Sequence, residues 1–259
     1  MKEICRDLAK EQEDLDALVA NLDDAGWDKP TPAEGWAIRD QINHLAYFDD
    51  RARLSATDPD GFTKHLQEAL RNLQGFADGI IQNGRRMRPA ELLAWWRKER
   101  AKLIEAFQPM DPKTRVPWYG PPMSVRSSAT ARLMETWAHG QDVADALKVR
   151  RKPTDRLKHV AHIGVTTFGW SYANRGLKVP EKPVRVELTS PSGELWTWGP
   201  EGAEDRVRGP AEDFCLIVAQ RRNLADTALV ITGPVASEWM SLAQCFAGPP
   251  GPGRKPGQL

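Results

Sequence analysis

ETWAHGQDVADAL, residues 135–147, is the stretch whose reading decides what this chain is. It has no proline and no β-branched run, and its residue spacing suits a helix. Glu135 and His139 are separated by four positions, so a helix projects both from one side. On a wheel at about 100° per residue, Glu135, His139 and Asp142 fall within roughly 60° of one another. Leu133, Trp137, Val143, Ala144 and Leu147 cluster on a second arc roughly 150° away. Read alone, the polar arc fits a solvated face. Ala131, Ala138 and Ala146 share that arc, however, and small residues allow a neighbouring helix to come close. A second helix is legible in RDQINHLAYFD (39–49), which carries His44. On its own, His44 fits a packed, hydrogen-bonded histidine. Combined with Glu135 and His139 it completes a facial His/Glu/His donor set, which with one position left to water or substrate is a catalytic zinc-type arrangement. His65, His159 and His162 are rival ligands. His159 and His162 could share a helix face, but they read as surface or packing residues.

Working outward, residues 4–26 read as an amphipathic helix with Leu15, Leu18, Val19 and Leu22 on one stripe. DKPTPAEGW (28–36) then breaks the chain. The helix bearing His44 is expected from about Ala37 to Ala56, with Ile42, Leu45, Ala46 and Asp49 along one side. TDPDGF is a turn and a possible helix start. Residues 62–83 look helical, although Gly75 and Gly79 weaken the pattern. Ala90 to Phe107 places Leu92, Trp96, Leu103 and Phe107 at helical spacing. PMDPKTRVPWYGPPMS (109–124) is a loop by its prolines. The helix bearing Glu135 and His139 then runs from about Ser127 to Lys148. These principal helices imply a four-helix bundle, in which metal sites are built from side chains on facing helices.

The pattern changes after RRKPTD. Residues 155–176 still read as helical, but VRVELTS and ELWTWG are strand-like and joined by PSG, a hairpin signal. DRVRGPAEDFCLIVAQRRN suggests a strand followed by a helix from about Pro210. TALVITG reads as another strand and VASEWMSLAQCF as another helix. This mixed α+β segment is too short for a wound parallel sheet. The expected organisation is a four-helix bundle over 1–152, a smaller α+β domain over 153–247 and a Pro/Gly-rich tail over 248–259. GPPGPGRKPGQL cannot be helix or central strand. It reads as a flexible tail, or alternatively as a flap that presents Arg254 to a cleft.

Composition limits the function classes. A formal charge of +1 gives no bulk electrostatic reason to bind nucleic acid or an anionic membrane. No run approaches the roughly 20 apolar residues of a membrane helix, and the charged N-terminal segment has no apolar leader core. The cysteines are Cys5, Cys215 and Cys245. They are odd in number and widely spaced, which points to a reducing cytoplasm rather than a disulfide framework. Cys215 and Cys245 read as small buried hydrophobes. The ten tryptophans are core filling in the plain reading. In the alternative, some of Trp36, Trp95, Trp96, Trp118, Trp137 and Trp170 line an apolar ligand cavity.

WAIRDQINHLAYFD, followed roughly ninety residues later by ETWAHGQDVADAL, resembles the DinB-like metalloenzymes, and most closely the mycothiol-dependent maleylpyruvate isomerase group. The resemblance covers about residues 10–150. It implies an N-terminal bundle with His44, Glu135 and His139 as ligands of a divalent metal, most often zinc. The second domain is similar to the group's sterol-carrier-like α+β domain, in which an arginine after a GPAxD-type helix start handles substrate. Here Arg221 and Arg222 match that position. They also fit a basic helix end that complements the dipole. The GPPGPGR tail is similar to that of a largely actinobacterial subgroup, so the isomerase substrate is not carried across.

The resemblance implies an enzyme in which a low-molecular-weight thiol, mycothiol or a relative, adds to a small electrophile, giving isomerisation or S-transfer. An acidic substrate could be clamped by Arg221 or Arg222. Asp142 would either orient His139 or sit as a helix-surface charge, the latter being the simpler. The alternatives are a metal-dependent hydrolase without thiol, and a carrier of an apolar ligand with a structural metal. The expected partner is a small molecule, with no nucleic acid and no membrane, and the chain is expected as a monomer or homodimer.

Overall fold

The computed structural model describes residues 1–258 and divides into two compact units, Met1–Arg150 and Arg151 onward. The first is all-α apart from one short ladder. It contains α1 (Lys2–Val19), α2 (Asp24–Trp27), α3 (Ile38–Thr57), α4 (Pro59–Arg71), α5 (Leu73–Arg86), α6 (Pro89–Phe107) and α7 (Val125–Leu147). The bundle proper is α1, α3, α6 and α7: α3 packs on α6 and α7, and α1 packs on the same two helices. Apolar residues at helical spacing meet inside it. Leu15 and Val19 of α1 pack with Ile42 and Leu45 of α3, Trp96 of α6 and Val143 of α7.

Local chemistry sets where the helices begin. Asp40 Oδ2 accepts the Ala37 N–H at 2.9 Å and caps α3. Ser124 Oγ accepts the Ser127 N–H at 3.1 Å and caps α7, which ends at Lys148 in the left-handed region, φ 58°. Three expectations are corrected here. The helix expected over 4–26 stops at Val19, and Asp23 caps the separate α2 by accepting the Gly26 N–H at 2.8 Å. The helix expected over 62–83 is two helices. Asp58 and Pro59 start α4 earlier, and Asn72 ends it and caps α5 by accepting the Gly75 N–H at 2.9 Å. The 109–124 loop contains a two-residue antiparallel ladder, β1 (Arg115–Val116) with β2 (Met123–Ser124).

The second unit is α+β. The helix expected over 155–176 is divided into α8 (Leu157–Thr166) and α9 (Phe168–Ala173). At the break, the hydroxyls of Thr166 and Thr167 bond back to the Ile163 carbonyl and compete with helix continuation. The strands β3 (Val184–Thr189), β4 (Leu195–Trp198), β5 (Asp205–Pro210) and β6 (Val230–Thr232) form one mixed sheet in the order β4-β3-β5-β6. The β3–β4 hairpin is antiparallel, β3 and β5 are parallel, and β5 and β6 are antiparallel. The sheet is covered by α10 (Ala211–Val218) and α11 (Pro234–Leu242), which bury Phe214 and Trp239 against it.

The tail is not a loose end. Asn174 Nδ2 donates to the Gly248 carbonyl at 3.0 Å and Asn223 Nδ2 to the Arg254 carbonyl at 2.8 Å. The Gly257 N–H donates to Asp226 Oδ2 at 2.9 Å, and Arg254 is buried. Proline and glycine exclude regular structure from this stretch, but side-chain amides and a carboxylate supply the partners that its backbone needs.

Candidate metal centre

His44 projects from α3, and Glu135 and His139 project one turn apart from α7. His44 Nε2 lies 3.0 Å from Glu135 Oε2, and His139 Nε2 lies 3.2 Å from the same oxygen. The two imidazole centroids are 4.2 Å apart. Among the described residues, this trio is the group of His, Cys, Asp or Glu side chains whose donor atoms converge, all within 4.8 Å of one another. The donor set suits a divalent ion: two imidazole nitrogens and a carboxylate oxygen are zinc-type ligands, and tetrahedral neighbours around zinc lie about 3.3 Å apart.

The electrostatics of the trio are lopsided. Burial pushes His44 down to about 4, assisted by the neighbouring His139 and opposed by Glu135. Burial alone would raise Glu135, but the adjacent His139 and His44 imidazoles hold its carboxyl well below the usual range. The site therefore favours a neutral His44 and an ionised Glu135, the states in which both donate electron pairs to a cation.

Aromatic rings flank the histidines. Phe48, one turn along α3, is 4.6 Å from the His44 ring, and Trp36 lies 5.7 Å from His44 and 6.0 Å from His139. Trp36 also lines a cavity of about 450 Å³ together with Asp28, Thr31, Arg39, Asp40 and Arg85. Trp96 and Trp137, by contrast, are core residues.

One expected role is corrected. Asp142 is not a helix-surface charge: it is 1% exposed, and α7 has buried residues on both of its arcs. The partner on His139 Nδ1 is Gln41 Oε1, at 2.5 Å, a residue that the sequence reading passed over. The available signal was its position one turn before His44 on the same helix face. His65 takes no part in the trio. Its Nε2 lies between the hydroxyls of Tyr119 at 2.9 Å and Tyr47 at 3.2 Å. Arg221 and Arg222 follow α10 in the second unit, where Gln220 turns the chain with φ 58°. Arg221 Nη1 donates to the Ala219 carbonyl at 2.7 Å, and Arg222 Nη1 to the Arg221 carbonyl at 2.6 Å.

A helical bundle that gathers two imidazoles and a carboxylate from facing helices, followed by a small α+β unit, defines the class. The family is more specific. The model of the mycothiol maleylpyruvate isomerase N-terminal domain matches residues 8–144, more than half of the chain, and the chain belongs to that family. Residues 180–232, which contain β3 to β6, match the family described as wyosine base formation. Uncharacterized proteins of two Mycobacterium tuberculosis strains, H37Rv and CDC 1551, are each 48% identical over 248 residues, covering 96% of this chain and 96% of theirs. The crystal structure of the mycothiol-dependent maleylpyruvate isomerase superposes with a TM-score of 0.54 at 17% identity, covering 85% of this chain and 89% of that one. A histidine-to-alanine mutant of that enzyme matches equally. At such identity, the likeness is one of fold.

Proposed function

We propose that this chain is a divalent-metal enzyme, with zinc the first candidate, held by His44, Glu135 and His139, and that it uses mycothiol or a similar low-molecular-weight thiol for isomerisation or S-transfer on a small electrophile. The observation that carries the reading is the convergence of two Nε2 atoms on Glu135 Oε2 at 3.0 and 3.2 Å. Membership of the isomerase family supports the thiol. A bound divalent ion supplies a Lewis acid that favours the thiolate form of a thiol ligand.

The chain's own residues supply the rest. Glu135 stays anionic between its two histidines and offsets part of the cation's charge. Phe48 and Trp36 present apolar rings beside His44 and His139, which limits the water that competes with a thiol. On sequence grounds, Arg221 and Arg222 are the proposed handles for a substrate carboxylate, through the planar fork that suits such a group. Among the described residues no helix is long and apolar enough to cross a membrane, and Cys5, Cys215 and Cys245 are buried.

The test is metal analysis of the purified protein combined with calorimetric titration of mycothiol. The expected result is one equivalent of divalent metal and stoichiometric thiol binding, both lost in His44→Ala. Metal uptake without thiol binding would turn the reading towards a hydrolase. No metal uptake, with His139→Ala indistinguishable from wild type, would end both enzymatic readings.

A further inference from the structure

We propose that Gln41 is the positioning residue for His139, and that it acts as the middle link of a one-way hydrogen-bond chain from the His139 ring to the backbone of Trp36. The inference rests on the metal reading above and goes beyond the donor trio. Gln41 is fully buried on α3. Its Oε1 lies 2.5 Å from His139 Nδ1, and its Nε2 lies 2.8 Å from Thr31 Oγ1. Thr31 Oγ1 in turn lies 2.9 Å from the Trp36 carbonyl oxygen.

The direction of the chain follows from its last member. A backbone carbonyl only accepts, so the Thr31 hydroxyl hydrogen is committed to Trp36. Thr31 Oγ1 must then accept from Gln41, which turns the amide nitrogen towards Thr31 and the amide oxygen towards His139. That oxygen also only accepts, so the hydrogen of His139 sits on Nδ1. His139 Nε2 is left with its lone pair facing the position that Glu135 and His44 share. A metal-ligating histidine needs this tautomer, and a hydrogen bond at the other ring nitrogen fixes it.

The chain ends on a fixed point. The Trp36 carbonyl also accepts the Thr31 N–H at 2.8 Å, the Ile38 N–H donates to the Lys29 carbonyl at 3.0 Å, and Pro30 bridges Ala37. The 29–38 segment is thus closed on itself and cannot swing away from Gln41. It also lays the Trp36 indole nearly parallel to the His139 ring, at 16°. Packing alone would be served by an apolar side chain of similar volume. A buried amide bonded at both ends is what orientation requires.

The experiment compares zinc affinity, by competition with a chromophoric chelator, and the visible spectrum of the cobalt(II) protein. Wild type, Gln41→Met, Gln41→Glu and Thr31→Val are measured, with circular dichroism and melting curves as a check of folding. Gln41→Met is expected to weaken zinc about 10- to 100-fold and to alter the cobalt bands. Gln41→Glu keeps an acceptor for Nδ1–H and is expected to stay within a few-fold of wild type. Thr31→Val leaves the His139 contact in place and is expected to fall between them. A folded Gln41→Met protein with wild-type zinc affinity overturns the inference. If Gln41→Met does not fold, Thr31→Val carries the test, and unchanged affinity there overturns it. Wild-type protein that takes up no zinc is a different result, because it removes the metal reading itself.

Discussion

Arg132 Nε donates to Asp49 Oδ1 at 2.9 Å, with the two side chains 3% and 0% exposed. The pair joins α7 to α3 one turn before Glu135 and just over one turn beyond His44, so it supports the two helices that carry the donor trio. Burial raises the Asp49 carboxyl above its ordinary value despite the opposing pull of Arg132. Ionising it in the folded protein therefore costs stability at neutral pH. That cost shrinks as pH falls through the raised folded-state value and is gone below the ordinary carboxylate value. A single replacement leaves one buried charge without its partner, so Asp49→Leu or Arg132→Met should each lose about 3–5 kcal/mol. The double replacement should lose clearly less than the two losses added together. A urea-denaturation double-mutant cycle measures this, and an additive result would mean that the two charges do not compensate each other.

Metal binding should stabilise the fold measurably. A ligand that binds only the folded protein at 100 times its dissociation constant adds about 2.7 kcal/mol. Zinc should therefore raise the melting temperature of the wild type by several degrees, and a chelator should reverse the rise. His44→Ala and His139→Ala should show no rise at matched zinc. An equal rise in those variants would place the ion elsewhere.

The helices were legible because apolar spacing reports burial, and Leu15, Ile42, Trp96 and Val143 do meet in the core. Periodicity failed where burial is two-sided. The polar arc of α7 looks like a solvated face on a wheel, yet His139 and Asp142 on it are buried. Ala131, Ala138 and Ala146 were the better guide, since small side chains leave room for a neighbour. Gln41 was missed for a related reason: an amide within a helix reads as surface polarity until its two partners are known. The glycines Gly75 and Gly79 do not mark the break at Asn72, because the capping side chain stops the helix there. Strand identities in the second unit followed from alternation. The parallel pairing of β3 with β5 did not, because a pairing that skips the hairpin partner leaves no local pattern.

Asp16 gives a pH dependence with a defined sign. Arg97 donates to it at 2.6 and 2.8 Å and Arg100 at 2.6 Å, which ties α1 to α6. The hydrogen bond from Arg97 leads the causes that hold its carboxyl below the ordinary value, with burial opposing. A lowered folded-state value contributes stability that is present in full above the unfolded value and is lost as pH falls through the folded one. Asp16→Asn should therefore cost about 1–2 kcal/mol at neutral pH. The gap from wild type should stay flat down to about pH 5 and close below about pH 3–4. Chemical denaturation across pH measures it, and a gap that widens on acidification would reverse the assignment.

Two glycines of α5 should respond to alanine with opposite signs. A Cβ at Gly79 meets nothing within 4 Å. Gly79→Ala removes the entropic cost of glycine in a helix and should stabilise by about 0.5–1 kcal/mol. A Cβ at Gly84 would come within 2.7 Å of Asn43 Cβ, and Asn43 is anchored, its Nδ2 donating to the Ile80 carbonyl at 2.9 Å. Asn43 neighbours His44 on α3, so the clash cannot be relieved without moving the helix that carries a donor. Gly84→Ala should destabilise by about 1–3 kcal/mol and should also weaken zinc binding, which Gly79→Ala should leave unchanged. Thermal melts and chelator competition on the two variants separate these outcomes, and a Gly84→Ala protein as stable as wild type would show that α5 can draw back from α3 at no cost.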